Sequence, residues 1–266
     1  MDEIQRNRKE LIQRVCADLK PGATDYHISH TSPQLVYNDE YQFAYCRIPK
    51  AGTTNWRRIL LVLKGAVDNL KDVHHVNVGR NAYPRISLAD IDKRRCISFL
   101  FVRHPFQRLL SAYRSKLENP DRHAMEKRIG VEILSKFREN ASTPIINSGK
   151  SVTFYEFVQF VLSSKKTSGF NEHWDYQHKL CSVCEHSYDF IGHVENIVEE
   201  SNYLLHSIGV TNVNFPEYSY HATNSSDENV YFKYFSQIPT EDIIKLYELY
   251  KMDFKLFGYA FPKELI

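Results

Sequence analysis

The 266-residue sequence lacks any uninterrupted apolar run of about 18 residues, so nothing in it reads as a membrane-spanning helix. Residues 1–9 are polar and charged, which excludes the apolar core of a secretory signal. No internal repeat is visible, which sets aside solenoids and propellers. The sequence Gly-Lys-Ser/Thr is absent, and with it the Mg²⁺-nucleotide signature of the nucleoside triphosphatases. Cysteine is sparse and odd in number: Cys16, Cys46, Cys96, Cys181 and Cys184. A single Cys181-x-x-Cys184, with no second pair and no suitably spaced histidines, does not make a zinc site, and no metal is expected. In an oxidising compartment these cysteines are expected in disulfides, local or longer-range, whereas Cys46 reads as a core residue on a buried strand.

What is present suits a folded catalyst. Hydrophobic residues make up 42% of the chain, with 17 Tyr and 16 Phe, enough for one sizeable core. One domain over 1–266 is expected, with 1–40 as an N-terminal helix and connection. The net charge of only +2 conceals clustering. Basic residues gather at Lys93-Arg94-Arg95, at 103–116 and at 122–128, a lining suited to an anionic ligand. The 122–128 cluster reads equally well as a solvated helix face. No nucleic-acid partner is expected.

The most informative stretch is Tyr45-Cys-Arg-Ile-Pro-Lys-Ala-Gly-Thr-Thr-Asn-Trp56. It joins an apolar strand-like segment, 41–48, to a helical pattern, 56–63, through a turn of small residues. Such a turn aims backbone N–H groups and the positive end of the helix at one point. Lys50, Thr53 and Thr54 add a cation and two hydroxyls there, which together read as a phosphate cradle. A second strand-to-helix junction follows. Residues 97–102 read as a buried strand, Arg103-His-Pro105 as the junction, and 106–117 as an amphipathic helix with Pro105 at its first position. Arg103 and Ser111 suit one phosphate group, through a planar fork and a hydroxyl. Arg108 joins them or, like Arg114, is a solvated helix charge. Two such junctions imply a ligand with phosphate groups at two ends.

These residues resemble the sulfotransferases. Residues 47–56 are similar to the family's 5′-phosphosulfate loop, and Phe101-Val-Arg-His-Pro-Phe-Gln-Arg-Leu-Leu-Ser-Ala-Tyr-Arg114 to its 3′-phosphate site. Phe170-Asn-Glu-His-Trp174, Leu180-Cys-Ser-Val-Cys184, Tyr188-Asp189, Glu200-Ser-Asn-Tyr203 and 246–254 narrow the likeness to the Golgi carbohydrate sulfotransferases that include the chondroitin and dermatan 4-O-sulfotransferases. It extends from about residue 8 to 261. One departure is Ala51-Gly52-Thr53, where the chondroitin enzymes usually have Val-Ala-Cys.

The resemblance implies the donor 3′-phosphoadenosine 5′-phosphosulfate, held by Arg47, Ile48, Pro49, Lys50, Ala51, Gly52, Thr53, Thr54, Arg103, Arg108 and Ser111. It implies a glycan acceptor, expected to be a glycosaminoglycan sulfated at the 4-hydroxyl of N-acetylgalactosamine. It also implies a type II Golgi protein, so this chain is expected to be a catalytic domain without its anchor. Asn140-Ala-Ser142 and Asn224-Ser-Ser226 are glycosylation sequons compatible with a lumenal life. Lys50 is the expected stabiliser of the leaving group. The expected base is His75, placed upstream of the 3′-phosphate motif as in related enzymes, or alternatively His173; His74, His104 and Glu172 are further candidates. A P-loop kinase and a non-catalytic glycan-binding module are the competing classes.

For the fold, strands separated by helices imply α/β architecture: a parallel sheet flanked by helices, with a P-loop-like strand–loop–helix. Helices are expected at 4–19, 122–140, 154–162, 195–208 and 240–254, and a further strand at 188–194. Residues 73–92 and 141–150 read as irregular. Thr153 with Glu156 reads as a capping box, and Thr240 as a cap.

Overall fold

The apolar run Ile97-Ser-Phe-Leu-Phe-Val102 forms a central strand, β3 (Ile97–Val102), with every residue after Ile97 buried. The computed structural model describes residues 1–18, 35–70, 84–118, 124–164, 171–217 and 223–266. Within these, β3 pairs in parallel with β2 (Phe43–Cys46) on one side and with β4 (Phe190–His193) on the other. A fourth strand, β1 (Leu35–Asn38), pairs antiparallel with β2, giving the order β1-β2-β3-β4. The sheet is therefore mixed, not purely parallel as the sequence suggested. The reason is the connection 39–42: four residues close a hairpin, whereas a parallel crossover needs a dozen or more. Asn38 helps close it by accepting the Tyr41 N–H at 2.8 Å.

The described residues form two compact units. The first comprises 1–103, 176–221 and 255–258 and contains the whole sheet. Its helices are α1 (Asp2–Ala17), α2 (Thr53–Leu63), α3 (Leu88–Arg94), α8 (Gln177–Leu180) and α9 (Ile197–Ser207). Tyr45 of β2 stacks on Phe99 of β3 at 4.8 Å, and Trp56 of α2 packs on both and on Phe215. Gly192 of β4 is obligatory for this packing, since an added Cβ would lie 2.2 Å from the Phe101 ring. The outer strand β4 is covered by α1. There the Gln5 amide exchanges two hydrogen bonds with the Ile191 backbone, and Arg8 forks onto Glu200 at 2.7 and 2.8 Å.

Two disulfides lie in this unit, Cys16–Cys184 and Cys46–Cys181. Cys46 is buried as expected of a core residue, but it is also bonded, and both pairings are long-range. Cys96 is buried and in neither.

The second unit, 104–175 with 222–254 and 259–266, is helical. It contains α4 (Pro105–Lys116), α5 (Ala124–Phe137), α6 (Thr143–Ser148), α7 (Phe154–Ser163), α10 (Glu228–Phe235) and most of α11 (Thr240–Leu256). Its core is aromatic: Phe106 stacks on Phe235 at 5.2 Å and meets Phe254 edge-on at 5.3 Å, and Tyr113 stacks on Phe157. The Thr153–Glu156 capping box starts α7 as expected. In contrast, Thr240 lies inside α11, whose first turn is closed by the Pro239 carbonyl. Helices α3 and α6 occupy stretches that read as irregular.

Candidate functional site

Strand β2 ends at Cys46, and residues 47–52 turn the chain into α2. The Ala51 N–H donates to the Ile48 carbonyl at 3.1 Å, closing the turn. Two residues there have left-handed backbone, Lys50 at φ 72° and Gly52 at φ 77°. Gly52 is suited to this by its missing Cβ, and a Cβ would also meet the Ile197 side chain at 2.1 Å. Lys50 accepts the same conformation with a full side chain, a strain that folds retain mainly at sites of function. Ala51 is fully buried, while Lys50 and Thr53 are half-buried and Thr54 is exposed.

Helices α2 and α4 begin alike. Neither N-cap residue, Gly52 or His104, makes a side-chain capping bond, and neither first turn holds an acidic residue. By contrast α3, α7 and α10 are capped by Ser87, Thr153 and Asp227, each with an acid in the first turn. A helix start with no acidic residue in its first turn keeps the positive end of its dipole available to an anionic ligand.

Arg103 follows β3 directly, is largely buried, and points its Nη1 at the Lys50 carbonyl, 3.5 Å away. The end of β3 is thereby brought to the turn after β2, and both features belong to the first unit. Its backbone is held by Gln177, a residue that sequence reasoning missed because a lone glutamine carries no pattern.

In the second unit, Arg108 is only 2% exposed, so it is not a solvated helix charge. It donates to the carbonyls of Glu172 at 2.8 Å and Asp175 at 2.6 Å. Burial lowers its pKa against the opposing pull of Asp253. Ser111 is buried in a hydroxyl chain with Thr223 at 3.0 Å, and Ser225 continues it at 2.8 Å. Arg114, placed with solvent by the sequence, pairs with Glu118 and lies over the Tyr234 ring. His104 is enclosed edge-on by the rings of Phe106, Tyr231, Phe254 and Tyr259, an ordering role for the loop.

His173 stands on a turn whose carbonyls are fixed on three sides. Arg108 holds those of Glu172 and Asp175, and the Tyr250 hydroxyl holds that of Trp174 at 2.7 Å. Asn171 Oδ1 accepts the His173 backbone N–H at 3.0 Å and lies 2.7 Å from Nδ1. An amide oxygen carries no hydrogen and can only accept, so in this contact Nδ1 carries the ring proton and the neutral imidazole has its lone pair on Nε2. His74 and His75 lie outside the described residues. Among the described residues no group of three or more His, Cys, Asp or Glu is placed to hold a metal ion.

A family model described as "Sulfotransferase family" matches residues 33–260. The chain belongs to that family. Sulfate transfer is thus its enzymatic class, and the kinase alternative is set aside. The chain is 35% identical over 242 residues to carbohydrate sulfotransferase 11 of Rattus norvegicus, covering 87% of this chain and 68% of that one. It is 31% identical over 276 residues to carbohydrate sulfotransferase 8 of Mus musculus, covering 98% and 65%. It is 32% identical over 272 residues to carbohydrate sulfotransferase 14 of Danio rerio, covering 97% and 72%. These matches place the chain among the carbohydrate sulfotransferases. No solved structure matches it.

Proposed function

We propose that this sulfotransferase moves sulfate from 3′-phosphoadenosine 5′-phosphosulfate to a glycan hydroxyl in the Golgi lumen. The acceptor proposed is the 4-hydroxyl of N-acetylgalactosamine in chondroitin or dermatan. The observation that carries the donor assignment is the approach of Arg103 to the turn before α2, where its guanidinium reaches the carbonyl of Lys50. A donor with phosphate at two ends fits that arrangement. The 5′-phosphosulfate is assigned to residues 47–54 and the 3′-phosphate to Arg103, with Ser111 added by the likeness of 101–114 to the family motif. Arg108, also part of that motif, is assigned to hold the 172–175 turn, because Nη1 and Nη2 each donate to a carbonyl there. A glycan acceptor is supported by the relatives, all of them named as carbohydrate sulfotransferases.

The transfer needs three things from the protein. The sulfur–oxygen bond to the 5′-phosphate breaks as a bond to the acceptor oxygen forms, so the two oxygens must be held in line. Negative charge builds on the departing phosphate, and Lys50 is proposed to neutralise it together with the α2 N–H groups. The acceptor proton must leave, and His173 is proposed to take it on Nε2, with His75 as the alternative.

The deciding experiment is a sulfate-transfer assay over a panel of desulfated glycans, run beside Lys50→Ala. Transfer to desulfated chondroitin and dermatan is expected, and Lys50→Ala is expected to lower turnover by about 10²-fold or more with the fold retained. Turnover on other glycans alone would reassign the acceptor. Near-normal turnover in Lys50→Ala would remove the leaving-group role, and binding without turnover on any glycan would favour a non-catalytic glycan-binding module.

A further inference from the structure

Gln177 opens α8 and is fully buried, yet both ends of its side-chain amide are used on one residue. Its Oε1 accepts the Arg103 N–H at 2.9 Å, and its Nε2 donates to the Arg103 carbonyl at 2.9 Å. The pairing of β3 with β4 stops at Val102, opposite His193. Arg103 is thus the first residue beyond the ladder, and Gln177 supplies the donor and acceptor that a neighbouring strand would otherwise have offered. Further along the same segment, Cys181 is bonded to Cys46, the residue immediately before Arg47. A stretch of five residues, 177–181, thereby fastens the ends of both strands that lead into the two phosphate junctions.

We propose that Gln177 is a positioning residue for the donor's 3′-phosphate, acting through the Arg103 backbone. The inference rests on the reading of Arg103 as the 3′-phosphate ligand. A guanidinium fork matches a phosphate in only a few orientations, and its long side chain holds one of them only when its root is fixed. Gln177 fixes that root. The molecule contains its own control: Gln5 makes the same two-bond clasp on Ile191, at a strand to which no ligand is assigned.

The test is calorimetric affinity for adenosine 3′,5′-bisphosphate and for adenosine 5′-phosphate, whose ratio isolates the 3′-phosphate. Gln177→Leu is expected to lower bisphosphate affinity about tenfold, with less than about a twofold change for the monophosphate. Gln5→Leu is expected to lower the melting temperature and leave the ratio as in the parent. In Gln177→Glu, an ionised carboxylate repels the Arg103 carbonyl, whereas a protonated one restores both bonds. Its ratio, taken relative to the parent at each pH, is therefore expected to recover as pH falls. If Arg103→Ala keeps the parent ratio, the reading of Arg103 falls and the proposal with it. If Arg103→Ala loses the ratio while Gln177→Leu keeps it, Gln177 alone is overturned. Should Gln177→Leu fail to fold, a flat pH profile in Gln177→Glu overturns the proposal.

Discussion

The Asn171 Oδ1, 2.7 Å from Nδ1 of His173, favours one tautomer of that ring, and the proposed role of His173 as base depends on it. With Nδ1–H donated to Asn171, the lone pair of the neutral ring is on Nε2, the state a proton acceptor requires. His173→Ala is expected to lower turnover by about 10²-fold or more while leaving adenosine 3′,5′-bisphosphate affinity unchanged. Asn171→Ala is expected to reduce turnover less and to displace the acid limb of the pH–rate profile, because the ring loses its fixed tautomer. If His75→Ala abolishes transfer and His173→Ala does not, the role passes to His75. Much at this scale was legible beforehand. Lys50, Gly52 and Arg103 stand where a strand pattern meets a helix pattern, and the turn geometry around them follows that reading. Asn171 was legible only as part of the 170–174 motif, without its contact to His173, and Gln177 was not legible at all, because its partner Arg103 is brought close only by the folded chain.

Single elements differ in how they hold their ends, and α7 is the most heavily anchored. The Thr153–Glu156 capping box closes its start, and Arg138 forks onto the same carboxylate at 2.7 and 2.6 Å. Burial alone would raise the Glu156 pKa, but the Arg138 and Thr153 hydrogen bonds outweigh it and hold the carboxyl below its usual value. A carboxyl depressed in the folded state stabilises fully above its unfolded pKa, about 4.3, and the contribution is lost as pH falls through the lower folded value. Urea midpoints measured from neutral pH downward are therefore expected to drop across that acid window. Glu156→Gln is expected to be less stable at neutral pH and flatter in acid; an unchanged acid slope would contradict the assignment. This helix was readable from its cap and its apolar spacing. Helix α3 has an equally complete capping box, Ser87 with Asp90, but buries only Ile91, so it lacked the apolar periodicity by which helices are recognised. Strand β1 is four residues long, too short to show alternation, and its omission is why the sheet read as purely parallel.

At the scale of the whole molecule, all five cysteines fall within the sheet-containing unit and none within the helical one. The two bonds span 168 and 135 residues of sequence, so each removes a large loop from the unfolded ensemble. Chain-entropy reasoning gives about 5 kcal/mol for each loop of this size. The helical unit relies instead on its ring cluster around Phe106, Phe235 and Phe254, which no reductant touches. Cys46–Cys181 also sits immediately before the 47–52 turn, so its loss is expected to loosen that turn before it loosens any helix of the second unit. Hydrogen exchange under reducing conditions provides the measurement. Amides of β2, β3 and α2 are expected to lose protection, while those of α4, α7 and α10 keep theirs. The variant Cys46→Ser/Cys181→Ser should reproduce the pattern without reductant and weaken adenosine 3′,5′-bisphosphate binding. An equal loss of protection in both units would mean that the disulfides stabilise the chain as one cooperative body, and the assignment of separate supports to the two units would fall.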